Sequence, residues 1–292
     1  VLSSGLLNNV EFLLRNVNTN SNNSSTYKED THHEILSSIL FKSKYPLVKE
    51  SKKTKKLLSP IFKARYSPNK TKNISDEDRV INYDNIFLMD RLNKNDLVEG
   101  GQSLTYGFDY QILDKSNNKS IIDLGIAQVI TDNENPDLPK KTTLNNKNSD
   151  FVGFLNVNLT NNLNLGYNFS IDNSFSHTNY DLLTAEMKVN NLVTSFEFLK
   201  EDNVYGAKSY LSNQTTLKIN ENNFISFKQR ENLEKDITEF YNLIYEYKNN
   251  CLTASIEYNK DYYKDVNLDP EENLFFKIKL IPLGVISSPT IN

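Results

Sequence analysis

The sequence predicts an all-β protein, an antiparallel up-and-down transmembrane β-barrel, from three observations. Hydropathy alternates with period two along most of the chain. Helical periodicity is hard to find anywhere. The connections between alternating runs are by turns long and short, the asymmetry of an outer-membrane barrel with long loops on one side and tight turns on the other.

The alternation is clearest in "QSLTYGFDYQIL". There Leu104, Tyr106, Phe108, Tyr110 and Ile112 share one face, and Ser103, Thr105, Gly107, Asp109 and Gln111 the other, as in a half-buried strand. It recurs with Leu252, Ala254, Ile256 and Tyr258 against Thr253, Ser255, Glu257 and Asn259, and in "NLFFKIKL" with Leu274, Phe276, Ile278 and Leu280 against Lys277 and Lys279. Taking turn clusters as breaks gives about fourteen strands, near 4–17, 31–46, 55–67, 102–113, 120–130, 151–159, 162–171, 177–189, 192–200, 204–219, 222–231, 236–248, 252–262 and 272–282. Thr178–Val189 and Asp236–Lys248 exceed the usual strand of about 5–6 residues, so they belong to a large sheet. The first, third and fifth connections, "TNSNNSSTYKED", Pro68–Gly101 and "TDNENPDLPKKTTLNNKNSD", run to roughly 12, 34 and 20 residues, while the even-numbered ones are turns of about 2–7. One barrel domain over 1–292 is expected, with 68–101 and 131–150 as long extracellular loops.

A soluble antiparallel sandwich would also alternate. However, neither face of most strands is strongly apolar, which suits a polar lumen and a thin lipid-facing band better than a dry core. Tyr241, Tyr245, Tyr247, Tyr258, Tyr262 and Tyr263 fall near strand ends as an interfacial girdle would, although Tyr is also simply a good strand former.

No stretch of 18 or more apolar residues occurs, which excludes a transmembrane helix and leaves a barrel open. The net charge of −4 gives no field for nucleic acid, and the Lys-rich "KESKKTKK" at Lys49–Lys56 reads as a solvated turn. Asn-X-Ser/Thr triplets such as Asn22–Ser24 follow from a general Asn enrichment rather than from glycosylation. The sequence opens at Val1 with neither an initiator Met nor a signal-like segment, and is read as part of a longer protein.

Chemistry is sparse. His32 and His33 are neighbours in a strand-like run and point to opposite faces, so they do not share a metal. The acidic "SDEDR" at Ser75–Arg79 lacks the spacing and glycine of a calcium loop and reads as a helix start. With no nucleophile elbow, P-loop, dinucleotide fingerprint or paired Cys motif, neither an enzyme nor a cofactor is expected. The single cysteine, Cys251, sits in the short polar turn "YKNNC" between two strands; from the residues alone, an inert thiol and a disulfide both remain open.

Three segments, "LLSPIFKARYSP", "NYDNIFLMDRL" and "VEGGQSLTYGFDY", resemble in order and spacing the LptD (OstA) family, outer-membrane proteins that place lipopolysaccharide in the outer leaflet. Asp84, Arg91, Glu99, Gly100 and Gly101 are the positions of this motif. The resemblance continues through "IIDLGIAQVI" and "EYKNNCLTASIEYNKDYY" to "NLFFKIKLIPLG", and is thin before Leu57. It implies a Gram-negative outer-membrane barrel larger than the strands here, a plug lipoprotein of the LptE type, and an N-terminal domain that receives lipopolysaccharide from periplasmic bridge proteins. It also implies that Cys251 bonds to a cysteine of that N-terminal region; some members have two adjacent cysteines where this turn has one.

With strands alternating and the C-terminus periplasmic, the Cys251 turn is periplasmic, where a disulfide persists. The final strand, with Leu274, Phe276, Ile278, Leu280 and Pro282, needs a second neighbour, since unpaired backbone in hydrocarbon costs several kcal/mol. The resemblance gives it the barrel's first strand. Pro282 cannot donate to that ladder, so the expected role of this strand is a lateral gate through which lipid A enters the membrane while sugars pass the lumen. The alternatives are a passive porin-like channel and a soluble all-β glycan-binding module.

Overall fold

A computed structural model describes residues 5–24, 29–262, 270–280 and 284–287, and every one of the alternating runs is a strand. The strands are β1 (Leu7–Ser21), β2 (Asp30–Lys44), β3 (Leu47–Glu50), β4 (Thr54–Ser67), β5 (Gly101–Asp114), β6 (Ser120–Thr131), β7 (Phe151–Thr160), β8 (Leu163–Ile171), β9 (Thr178–Val189) and β10 (Leu192–Asn203). They continue as β11 (Gly206–Lys218), β12 (Asn223–Asn232), β13 (Ile237–Lys248), β14 (Leu252–Asp261), β15 (Glu272–Leu280) and β16 (Gly284–Ser287), with one short helix, α1 (Tyr83–Ile86). Hydrogen bonding follows chain order from β1 to β16, with β3 set beside β4, as in an up-and-down meander. No helix among the described residues is long and apolar enough to cross a membrane.

Three boundaries differ from the sequence reading. The polar Asn16–Ser21 stays in β1 because it pairs in register with Asp30–Ile35, which cuts the first connection to residues 22–29. Pro46 has no N–H to give and ends β2; β3 then resumes the ladder on β4 from Leu47↔Leu58 to Glu50↔Lys55. Most of the Lys-rich segment is therefore hairpin, and the turn itself is only 51–53. Residues 75–79 are a turn rather than a helix start: the Ser75 N–H donates to Asn73 Oδ1 at 3.1 Å and the Glu77 N–H to the Ile74 carbonyl at 3.0 Å. The helix begins later, where Asn82 and Asn85 cap one another reciprocally.

The chain divides into two units. The first is Val1–Val157 with Asn168–Tyr180 and Asp202–Tyr205. Two of its strands, β4 and β5, expose apolar side chains and bury polar ones. On β4, Leu58, Phe62 and Tyr66 are exposed while Ser59, Lys63, Arg65 and Ser67 are buried; on β5, Tyr106 is exposed while Ser103 and Thr105 are buried. The half-buried strand expected at 102–113 is thus half-buried by its polar side. The cover is the two long connections, whose Ile74, Ile81, Ile86, Leu92, Leu97, Leu138 and Leu144 form one core with Ala127, Val129 and Val152 of β6 and β7.

The second unit is Asn158–Tyr167, Asp181–Glu201 and Gly206–Asn292. Its registers set Ile225, Leu243, Tyr245, Ile256, Leu274 and Phe276 on one exposed apolar face. The opposite face carries Lys228, Asn242, Asn259 and Asn273. β15 pairs on one side with β14 along its length and on the other with β16 from Lys277 to Leu280, so a described neighbour takes part of the edge that the sequence reading left open.

Candidate functional site

The buried polar face of the first unit holds a charged cluster. Residues 63 and 65 alternate with 62, 64 and 66 along β4, so Lys63 and Arg65 turn under the 68–100 connection. Lys63 Nζ donates to the Leu88 carbonyl. Arg65 donates through Nε to the Met89 carbonyl at 3.3 Å and through Nη2 to the Glu99 carbonyl. Arg91 grips the Glu99 carboxylate with both Nε, at 2.7 Å, and Nη2, and reaches Ser103 Oγ at 3.2 Å on β5. The Arg65 Nη1 lies 3.8 Å from Glu99 Oε1.

Two guanidiniums thus pair with one carboxylate, with the Lys63 amine beside them, and every side chain is less than a tenth exposed. Burial pushes the Glu99 carboxyl up, but the Arg91 and Arg65 guanidiniums outweigh it and hold the group down at about 2.

The connection is anchored at two further points. The Tyr83 hydroxyl donates to Asp109 of β5 and to the Phe108 carbonyl at 3.2 Å, and its ring packs edge-on to Phe154 at 4.9 Å. A Cβ on Gly125 would lie 2.6 Å from that ring, which is why β6 has no side chain there. Burial first, then the Asp109 carboxylate, raises the Tyr83 phenol above its ordinary value, so the ring stays a donor. At the other end Arg15 of β1 donates to the Lys94 and Leu97 carbonyls and pairs with Asp90 at 3.0 Å.

Of the motif positions, Arg91 and Glu99 meet in the cluster. Gly100 runs so close to the Asn69 backbone that a Cβ would sit 2.1 Å from its carbonyl oxygen, and Gly101 has φ +86°. Asp84 stands apart, exposed in the first turn of α1. Leu274, Phe276, Ile278 and Leu280 lie on β15, whereas Pro282 falls outside the described residues. Cys251 is exposed in the β13–β14 turn, its N–H on Asn249 Oδ1 at 2.9 Å. Sequence reasoning missed Lys63 and Arg65. Their signal was two cations at i and i+2 in a strand whose alternate residues are apolar.

An antiparallel up-and-down sheet with a bare apolar face and buried charge on the other defines an outer-membrane β-barrel protein. The family model LptD, LPS transport system D, matches residues 7–226, and the chain belongs to that family. The match takes in the N-terminal strands where the resemblance was thin, and ends before the Cys251 turn and β15. No curated protein matches. Among solved structures, two mutant forms of the porin of Rh. blastica are similar, each at 8% identity and TM-score 0.41, over 97% of this chain and 92% of theirs.

Proposed function

We propose that this chain forms barrel wall in the outer membrane of a Gram-negative bacterium and carries lipopolysaccharide to the outer leaflet through a polar interior and a lateral gate at β15. The observation that supports this most directly is the inverted exposure of β4 and β5: the apolar face is bare, as lipid requires, and a charged face is covered. The interior-facing carbohydrate and outward-facing acyl chains of the cargo match the two faces of such a wall. Its partners in this reading are an LptE-type plug lipoprotein and the periplasmic bridge proteins that deliver lipopolysaccharide. Membrane fractionation, followed by assay of lipopolysaccharide at the cell surface after depletion of the protein, tests the reading; surface levels that stay normal would leave a passive porin-like channel.

The connections 69–99 and 133–150 face the cell exterior in this arrangement, and the turns at Lys115 and Asn161 the periplasm. Single cysteines placed in the two connections are expected to react with an impermeant thiol reagent on intact cells, and those at Lys115 or Asn161 only after the envelope is opened. Strong labelling of intact cells at Asn161 would invert the topology.

Cys251 is proposed to bond to a cysteine of the N-terminal region in the whole protein. Its exposed position in a turn leaves the thiol accessible to such a partner. Nonreducing electrophoresis is expected to give a faster band that shifts on reduction. Unchanged mobility with Cys251 freely alkylated would remove the disulfide from the mechanism.

A further inference from the structure

The polar face of the second unit is ordered into a row. The registers place Gln214 of β11 opposite Lys228 of β12, Lys228 opposite Asn242 of β13, Asn242 opposite Asn259 of β14, and Asn259 opposite Asn273 of β15. Five strands therefore present four amides and one ammonium at one level, over about 19 Å at the usual interstrand spacing. The row is partly linked, since Asn242 Nδ2 donates to Asn259 Oδ1. It keeps unused capacity: Asn273 Oδ1 has no hydrogen-bond partner, and Lys228 has no ion-pair partner among the described residues.

At the β11 end the row opens into a cavity of about 210 Å³, lined among others by Glu197, Gln214, Lys228, Arg230 and Phe240. Arg230 lies 5.1 Å from the Tyr210 ring and 5.3 Å from the Phe240 ring, and Glu239 holds its Nε at 2.5 Å. Lys228 sits 5.8 Å from the centre of the Phe240 ring.

Side-chain amides both donate and accept, as sugar hydroxyls do, and an aromatic ring beside them offers an apolar platform for a sugar face. We infer that this row is a glycan track: it binds the sugar portion of the transported glycolipid, from the Phe240 cavity to Asn273 on β15. The inference rests on the proposed lipopolysaccharide reading and adds the residues that hold the carbohydrate. Ending on β15, the track brings the sugars to the strand where the lipid is proposed to leave, so headgroup and acyl chains move out in step. An amide row that served only to tie strands together would not distinguish one glycolipid from another.

The test uses the full-length protein in its native complex in cells, with a photocrosslinking residue at Ser226, one pair from Lys228 on the same face. Lipopolysaccharide with its full core sugars is expected to crosslink there, and lipopolysaccharide cut back to lipid A is not. Asn242→Ala with Asn259→Ala lowers the full-core yield about tenfold, as loss of two modest hydrogen bonds should, and leaves delivery of the cut-back form at the parental rate. If the alanine pair fails to assemble, the single change Asn259→Ser is read in the same way. A second crosslinker at Phe276 separates the failures. No lipopolysaccharide adduct at Phe276 overturns the transport reading itself. Adducts at Phe276 with none at Ser226, equal yields from the two glycolipids at Ser226, or yields indifferent to the asparagines overturn the track alone.

Discussion

Replacing Glu99 by Gln is expected to cost about 3–5 kcal/mol of stability, the usual penalty for leaving buried charges without their partner. The carboxylate receives Arg91 at 2.7 Å and stands 3.8 Å from Arg65, and both guanidiniums are nearly sealed from solvent, with 0% and 1% of their side chains exposed. Gln keeps the shape and can accept one bond but cannot offset two guanidiniums. The effect should be local first: the 68–100 connection is held to the sheet by this cluster, so it should become sensitive to protease at detergent concentrations that leave the strands intact. The Arg15–Asp90 pair, about a fifth exposed on each side, is the control, and Asp90→Asn should cost less than about 1 kcal/mol. Unfolding of the Glu99→Gln protein at the parental denaturant midpoint, with the connection still protected, would remove the cluster as the anchor.

The same carboxylate sets a pH window. Its folded value is depressed to about 2 from an ordinary 4.5, so its contribution is complete above 4.5 and is lost as pH falls through about 2. Protection of the connection should therefore survive at pH 4 and fail near pH 2, and the Gln variant should show no step in that range.

Locking the proposed gate is expected to abolish surface delivery of lipopolysaccharide. The carrier of the effect is the outer edge of β15: β14 pairs with it from Glu272 to Leu280 on one side, and on the other β16 pairs with Lys277–Leu280 among the described residues. A second strand must complete that edge in hydrocarbon. A cysteine at Phe276, with another at the facing position of the strand that closes the barrel in the whole protein, should form a disulfide on oxidation, stop new lipopolysaccharide from reaching the surface, and release it again on reduction. Delivery that continues at the parental rate through a fully crosslinked seam would sink the lateral gate and favour a passive channel. The single cysteine at Phe276 controls for loss of the aromatic ring.

Much of this was legible in the sequence because a strand encodes its two faces directly. The period-two pattern located β5 at 102–113 against the observed Gly101–Asp114, and the last long strand at 272–282 against Glu272–Leu280. Where neighbours rather than pattern decide, the reading slipped. The polar end of β1 stays a strand because Asp30–Ile35 is there to pair with it, and β3 exists because β4 continues past Pro46. The motif residues were also readable as a group, but not their separate fates: Arg91 and Glu99 join in one ion pair while Asp84 faces solvent.

By itself the sequence determined the fold class, the strand order of an up-and-down meander, and the family, since alternation and local turn chemistry act over a few residues at a time. Which face is covered was decided only by the tertiary structure. Lys63 and Arg65 alternate with apolar residues in the same way whether they meet solvent or lie beneath a connection. Their burial depends on Glu99, 34 residues beyond Arg65, returning to share its charge with them. That is a long-range electrostatic and packing event, and no local pattern encodes it.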